Sequence, residues 1–151
     1  AALENFDTNF KVLPPLRTQK DIDALIEGLK DGTIDMVTTD HNPIDIEHKK
    51  IEFDHALYGT IGLESAFGAL RKIFTTKKAI ALLTKGKSRF NIEEYSINKG
   101  QIANITLFNP NLNYSFSEKD IISTSKNSCF LRTKLTGKAY GIIANNKIDL
   151  N

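Results

Sequence analysis

The sequence has no tryptophan, one cysteine, one methionine and four prolines among its 151 residues. With Cys129 alone, no internal disulfide can form, which fits a reducing compartment such as the cytoplasm. Cys129 itself reads as a small apolar residue of a core rather than a nucleophile. No apolar run approaches the ~20 residues of a membrane-spanning helix. Neither sign of charge dominates: 20 Lys and Arg face 18 Asp and Glu, for a net charge of +2. That balance leaves no electrostatic footprint for nucleic acid or an anionic membrane. The short pairs Lys49-Lys50 and Lys77-Lys78 read as solvated surface. Internal repeats and low-complexity tracts are absent as well. What remains is 40% hydrophobic and 25% charged, the balance of an ordinary globular domain able to bury a core. Ala1 is not a methionine and begins mid-pattern, as a processed or truncated piece is expected to begin.

Along the chain, Val12 to Arg17 is expected to be extended, because Pro14 and Pro15 disfavour helix in the residues before them. Thr18 then suits a helix N-cap. Ile22, Leu25, Ile26 and Leu29 fall on one helical face, and Gly32 sits where a C-cap glycine belongs. Ile34 to Thr38 reads as a short strand with apolar residues on both faces, as in a buried parallel sheet. It ends in Asp40-His41-Asn42-Pro43, a carboxylate, an imidazole and a turn. In parallel α/β proteins the carboxyl end of a strand is where chemistry sits. A long polar loop, His41 to Tyr58, comes next and closes on Gly59 and Gly62. Leu63 to Ile73 and Lys78 to Thr84 predict two further helices. After Tyr95 the character becomes β-rich. Ile102 to Phe108 reads as a strand ended by the breaker Asn109-Pro110. Lys138 to Ala144 reads as another, and Asn145-Asn146 as a tight turn before Lys147 to Leu150. From the residues alone, Asp40 is as well explained by an aspartate that starts a turn as by a catalytic carboxylate. Tyr58-Gly59 is likewise a simple glycine turn or a ligand contact. His48 and His55 lack ligand spacing and read as surface histidines. Arg17 at a helix start suits either a carboxylate partner or structural support.

Four ordered motifs add to this reading: Lys11 to Arg17 (KVLPPLR), Gly28 to Asp35 (GLKDGTID), Thr39 to Pro43 (TDHNP) and Tyr58 to Ala66 (YGTIGLESA). Together with Gly100 to Pro110 and Lys134 to Gly141, they closely resemble the last third of the type I dihydroorotases, of the amidohydrolase superfamily. The resemblance implies an α/β fold: the last β/α units of a TIM-type (β/α)8 barrel over residues 1–95, then the C-terminal part of a small β-sandwich domain over 96–151. It implies reversible ring opening and closure of dihydroorotate in pyrimidine biosynthesis, with one or two zinc ions activating a water. Asp40 matches the carboxylate beside the metal that binds it and moves the proton. Tyr58 and Gly59 match a pair that contacts substrate. His41, next to Asp40, is expected to be structural, pointing away from it. Two positions depart from the pattern. Leu13 replaces an asparagine and Ile44 a histidine, each a polar group of the ring-binding pocket. The remaining metal ligands of the family lie upstream of this chain. The implied partners are therefore the N-terminal barrel portion of the same protein and a small cyclic amide. A second copy or another pyrimidine-pathway enzyme is a further possible partner. Two alternatives stay open: an inactive dihydroorotase-like assembly partner, and another cyclic amidohydrolase of hydantoinase or allantoinase type.

Overall fold

The computed structural model of the chain describes residues 3–92 and 95–150. Ala1, the residue behind the reading of a truncated start, lies outside them. The elements run α1 (Gln19–Asp31), α2 (Leu63–Arg71), α3 (Thr76–Thr84), β1 (Ile105–Ser115), β2 (Lys134–Ala144) and β3 (Lys147–Leu150), with short 3-10 turns at Thr8–Phe10, Ile46–His48, Lys85–Phe90 and Glu118–Asp120. The result is an α/β chain with one small sheet. Its contacts divide it into two units. The described residues of Ala1–Ile34, Thr38–Ala66 and Ser115–Lys134 form the first; those of Asp35–Val37, Phe67–Tyr114 and Leu135–Asn151 form the second.

In the first unit, α1 starts as its sequence directs. The Thr18 hydroxyl accepts the Asp21 N–H, and the Asp21 carboxylate accepts the Thr18 N–H, a reciprocal capping box. The Thr18 hydroxyl, donating to the Asp21 carboxylate at 2.7 Å, and then the Thr18 N–H hold the Asp21 carboxyl below its ordinary value. Gly32 ends the helix at φ 91°, and its N–H reaches the Gly28 carbonyl. The apolar face is formed as expected but not covered: α1 contains no buried residue, and Ile22 and Leu25 are 40% and 52% exposed. The core of this unit is Ala56, Ile61, Phe116 and Ile121, with Lys11, Lys49, Ser65, Asn127 and Ser128 buried among them.

The second unit packs Leu70, Phe74, Ala79, Leu82 and Leu135. Phe67 and Phe108 meet edge to face, their ring centroids 5.1 Å apart. The sheet order is β1-β2-β3. β2 and β3 pair antiparallel with Ala144 opposite Lys147, so Asn145-Asn146 is a two-residue loop, both at positive φ (51° and 58°).

Three expectations are corrected. Ile34 to Thr38 forms no strand. Its Val37 N–H bonds the Leu82 carbonyl, and among the described residues no strand lies alongside to make a ladder. The strand after Gly100 starts at Ile105 and runs through Asn109-Pro110 to Ser115. Proline breaks a ladder only on the side that is paired, and β1 is an edge strand. The third helix begins at Thr76, two residues before Lys78, because Thr75 caps it.

Candidate active site

Every candidate site residue of the sequence falls in the first unit. Asp40 sits at φ 41°, a left-handed conformation that aspartate tolerates better than most residues but that still costs strain. Its side chain is exposed, and no hydrogen bond among the described residues engages the carboxylate. The turn beyond Asp40 is tightly held. The Nδ1 atom of His41 accepts the N–H groups of Gly62 and Leu63, both at 3.2 Å. Those are orphan donors at the start of α2, so His41 caps that helix across 21 residues of sequence. With two donors facing Nδ1, the ring proton belongs on Nε2. Glu64, in the first turn of α2, suits the positive end of the helix and accepts the Ser123 N–H at 2.8 Å. Its second oxygen is buried without a hydrogen bond among the described residues, 4.0 Å from His41 Nδ1.

The same turn lies against the segment that carries Tyr58 and Gly59. Asn42 N–H donates to the Thr60 carbonyl at 3.0 Å. Gly59 stands at φ 149°, and a Cβ there would lie 2.9 Å from Asn42 Nδ2 and 3.0 Å from Ile44 Cγ1. Close approach of the two segments thus requires glycine. Gly62 makes the same allowance for the Thr39 carbonyl, 2.9 Å from where its Cβ would be. The structure therefore brings Asp40, Ile44, Tyr58 and Gly59 onto neighbouring stretches. The Gly59 N–H is committed to the Lys11 carbonyl at 3.0 Å, and its C=O accepts from Asn127 at 3.3 Å. Of the pocket positions, Leu13 is 65% exposed and Ile44 half-buried. Arg17 and both remaining histidines, His48 and His55, are exposed.

Two lysines were misjudged or passed over by sequence reasoning. Lys49, read as solvated, is 6% exposed. Its ammonium donates to the carbonyls of Thr8 (2.9 Å), Leu57 (2.9 Å) and Lys11 (3.3 Å). Three acceptors replace the lost water, which is what allows the burial. Desolvation first, and the nearby Lys11 charge second, hold Lys49 below its ordinary 10.5. Lys11, also buried, donates to the Phe53 and Asp54 carbonyls at 2.7 and 2.9 Å, and its ammonium lies 4.9 Å from the centre of the Tyr58 ring. Between them the two lysines staple residues 48–59 to residues 8–11. Lys50, by contrast, is exposed. Cys129 is half-buried, and its N–H donates to Thr60 Oγ1 at 3.1 Å. Burial pushes its thiol above the ordinary value, as expected of a packing residue rather than a nucleophile.

Among the described residues no three His, Cys, Asp or Glu side chains converge as a metal-binding group. Asp40 offers one oxygen donor. No described helix is long and apolar enough to cross a membrane.

No family model matches the chain. Individual relatives do. The dihydroorotase of Caldicellulosiruptor saccharolyticus is 40% identical over 150 residues, 95% of this chain and 35% of the relative. Those of Ruminiclostridium cellulolyticum and Endomicrobium trichonymphae are 41% and 37% identical, over 91% and 97% of this chain and 34% and 36% of their own. The chain thus spans about a third of the length of the curated relatives it matches. Among solved structures, L-hydantoinase from Arthrobacter aurescens aligns at a TM-score of 0.80 and 19% identity, covering 97% of this chain and 35% of that one. D-hydantoinase from a Thermus species aligns at 0.76 and 22%, covering 95% and 34%. The hydantoinases share the fold. By sequence, the chain is similar to the dihydroorotases over nearly its whole length and about a third of theirs.

Proposed function

We propose that this chain supplies the C-terminal portion of a zinc-dependent dihydroorotase, with residues 1–95 completing a (β/α)8 barrel and 96–151 contributing strands to a β-sandwich. The observation that carries the reading is Asp40: an exposed carboxylate, unpaired among the described residues and at a strained φ, on a turn pinned to α2 by His41 and to Thr60 by Asn42. Strain held by surrounding bonds is a mark of a working residue. A zinc ion bound there would lower the pKa of its water toward neutrality. Asp40 would give it one oxygen ligand, with the others supplied from outside this chain. In the ring-opening direction Asp40 takes the proton of the attacking water and delivers it to the leaving amide nitrogen. Because the Gly59 N–H is already committed, its carbonyl, with one lone pair to spare, is the group to receive a ring N–H of the substrate. Tyr58, half exposed beside it, closes one side of the ring. Leu13 and Ile44 place apolar surface where the family has polar groups, so the substrate carboxylate must be bound elsewhere.

The uncovered face of α1 fits the same reading, since the N-terminal portion of the protein would lie over it. The test uses the full-length protein. One or two zinc ions per chain, dihydroorotate hydrolysis, and a loss of between about a hundred- and ten-thousandfold in kcat for Asp40→Asn with zinc retained are expected. No zinc after incubation with excess metal, and no turnover, would overturn the reading and leave the inactive assembly partner.

A further inference from the structure

We propose that Asn127 is a positioning residue that sets the spacing between the Asp40 turn and the Tyr58-Gly59 segment through one side-chain amide. The inference rests on the function proposed above. Asn127 is 5% exposed, and its side-chain hydrogen bonds all go to these two segments. Its Nδ2 donates to the Asn42 carbonyl at 3.1 Å and to the Gly59 carbonyl at 3.3 Å, while its Oδ1 accepts the Ile44 N–H at 3.1 Å. Its own backbone carbonyl accepts the Ile61 N–H at 3.0 Å. Two residues on, the Cys129 N–H bonds Thr60 Oγ1. A stretch 68 to 85 residues downstream thus crosses both loops and ties them together.

The chemistry at this point admits few side chains. Two carbonyls and one N–H converge, so the residue must offer two donors and one acceptor on a short stem. A neutral carboxamide does so, and only one orientation of the amide avoids setting Oδ1 against the two carbonyls. Aspartate would turn both donors into acceptors. Leucine, of similar size, would take this partner from three backbone groups, of which the one at Gly59 is buried. The direct bond between the two segments, from Asn42 N–H to the Thr60 carbonyl, fixes one point of contact. Asn127 adds the second and third, two residues and four residues beyond Asp40. With a proton carrier on one segment and a substrate acceptor on the other, the distance between them decides whether the bound ring meets Asp40.

The test is kinetic and structural, on the full-length protein. For Asn127→Ala, kcat/KM for dihydroorotate should fall between about ten- and a hundredfold, chiefly through KM, with zinc content unchanged. A merely destabilised enzyme would instead lose active fraction and keep the KM of the wild type. Asn127→Asp preserves the shape and the acceptor for Ile44 but replaces both donors. It should show the same rise in KM, and it serves if the alanine variant does not fold. Amide hydrogen exchange separates the proposal from the function it rests on. Ile44 should lose protection in Asn127→Ala and keep it in Asn127→Asp. An active wild type with KM within twofold in both variants overturns the positioning role. A wild type inactive on dihydroorotate overturns the function, and Ile44 exchange then decides the clamp alone: unchanged protection in the alanine variant refutes it.

Discussion

A buried ammonium is costly unless carbonyls surround it, and Lys49 shows how this chain meets that condition. Removing its side chain in Lys49→Met takes the ammonium from the Leu57 carbonyl and leaves the Thr8 and Lys11 carbonyls with one backbone N–H each. The cost should be about 1–3 kcal/mol, read from the denaturation midpoint of the full-length protein. The direction of the shift sets the sign of its pH dependence. Lys49 titrates below 10.5 in the folded chain, so the unfolded chain holds the proton more tightly between the folded value and 10.5. Its unfavourable contribution is full below that window and fades as pH rises through it. Cys129 acts the other way. Its thiol is raised above 9.0 by burial, so its contribution is intact below 9.0 and lost as pH climbs through the folded value. At neutral pH the thiol should therefore alkylate far more slowly than free cysteine, and denaturant should abolish the difference. Equal rates in native and denatured protein would contradict the burial. Gly59 admits no such gradation. Its φ of 149° and the 2.9 Å approach of Asn42 predict that Gly59→Ala displaces the Asp40 turn. Activity should fall by at least about tenfold without loss of zinc.

At the level of elements, what the sequence made legible is what local chemistry decides. Thr18 and Gly32 bracket α1 because a cap and a left-handed residue act within a few residues of themselves. Asn145-Asn146 closes the β2–β3 hairpin for the same reason. That turn carries a prediction. Asn146 sits at φ 58°, which glycine adopts freely, so Asn146→Gly should raise stability by up to about 1 kcal/mol, seen as a higher melting temperature. The misreadings share a different cause. Ile34 to Thr38 has the composition of a buried strand, yet a strand exists only with a neighbour to pair with, and composition does not say where that neighbour comes from. Pro110 looked like a terminus because its effect depends on whether the strand lies at a sheet edge. In the candidate site, Asp40, Tyr58 and Gly59 stand out in the sequence through their motifs, and their roles are those proposed above. Lys49 and Asn127 do not stand out, since their partners are backbone groups up to 85 residues distant and leave no trace in spacing. His41 was expected to be structural, and its role as a cap for α2 became visible only when Gly62 and Leu63 were found beside it.

The whole molecule is marked by apolar surface that a self-sufficient domain would bury. Ile22 and Leu25 on α1 are joined by Leu13 and Leu16 ahead of it, each at least 40% exposed. An amphipathic helix draws most of its stability from packing its apolar face, and α1 here has caps but no buried residue. Propensity and a capping box hold 13 residues only marginally in water. The 151-residue chain produced alone should therefore bind a hydrophobic dye and self-associate. Sedimentation velocity should show species larger than the 16.9 kDa monomer. Exchange of the α1 amides should be fast in the isolated chain and slow in the full-length protein, where the N-terminal portion proposed to complete the barrel would cover the face. Substituting Leu25 by glutamate should improve the solubility of the isolated chain and destabilise the full-length protein, because on the proposed reading the same surface is solvent in one and core in the other. An isolated chain that is monomeric, unfolds cooperatively and protects α1 as well as the full-length protein does would mean that this surface has no partner. The barrel completion proposed for residues 1–95 would fall with it.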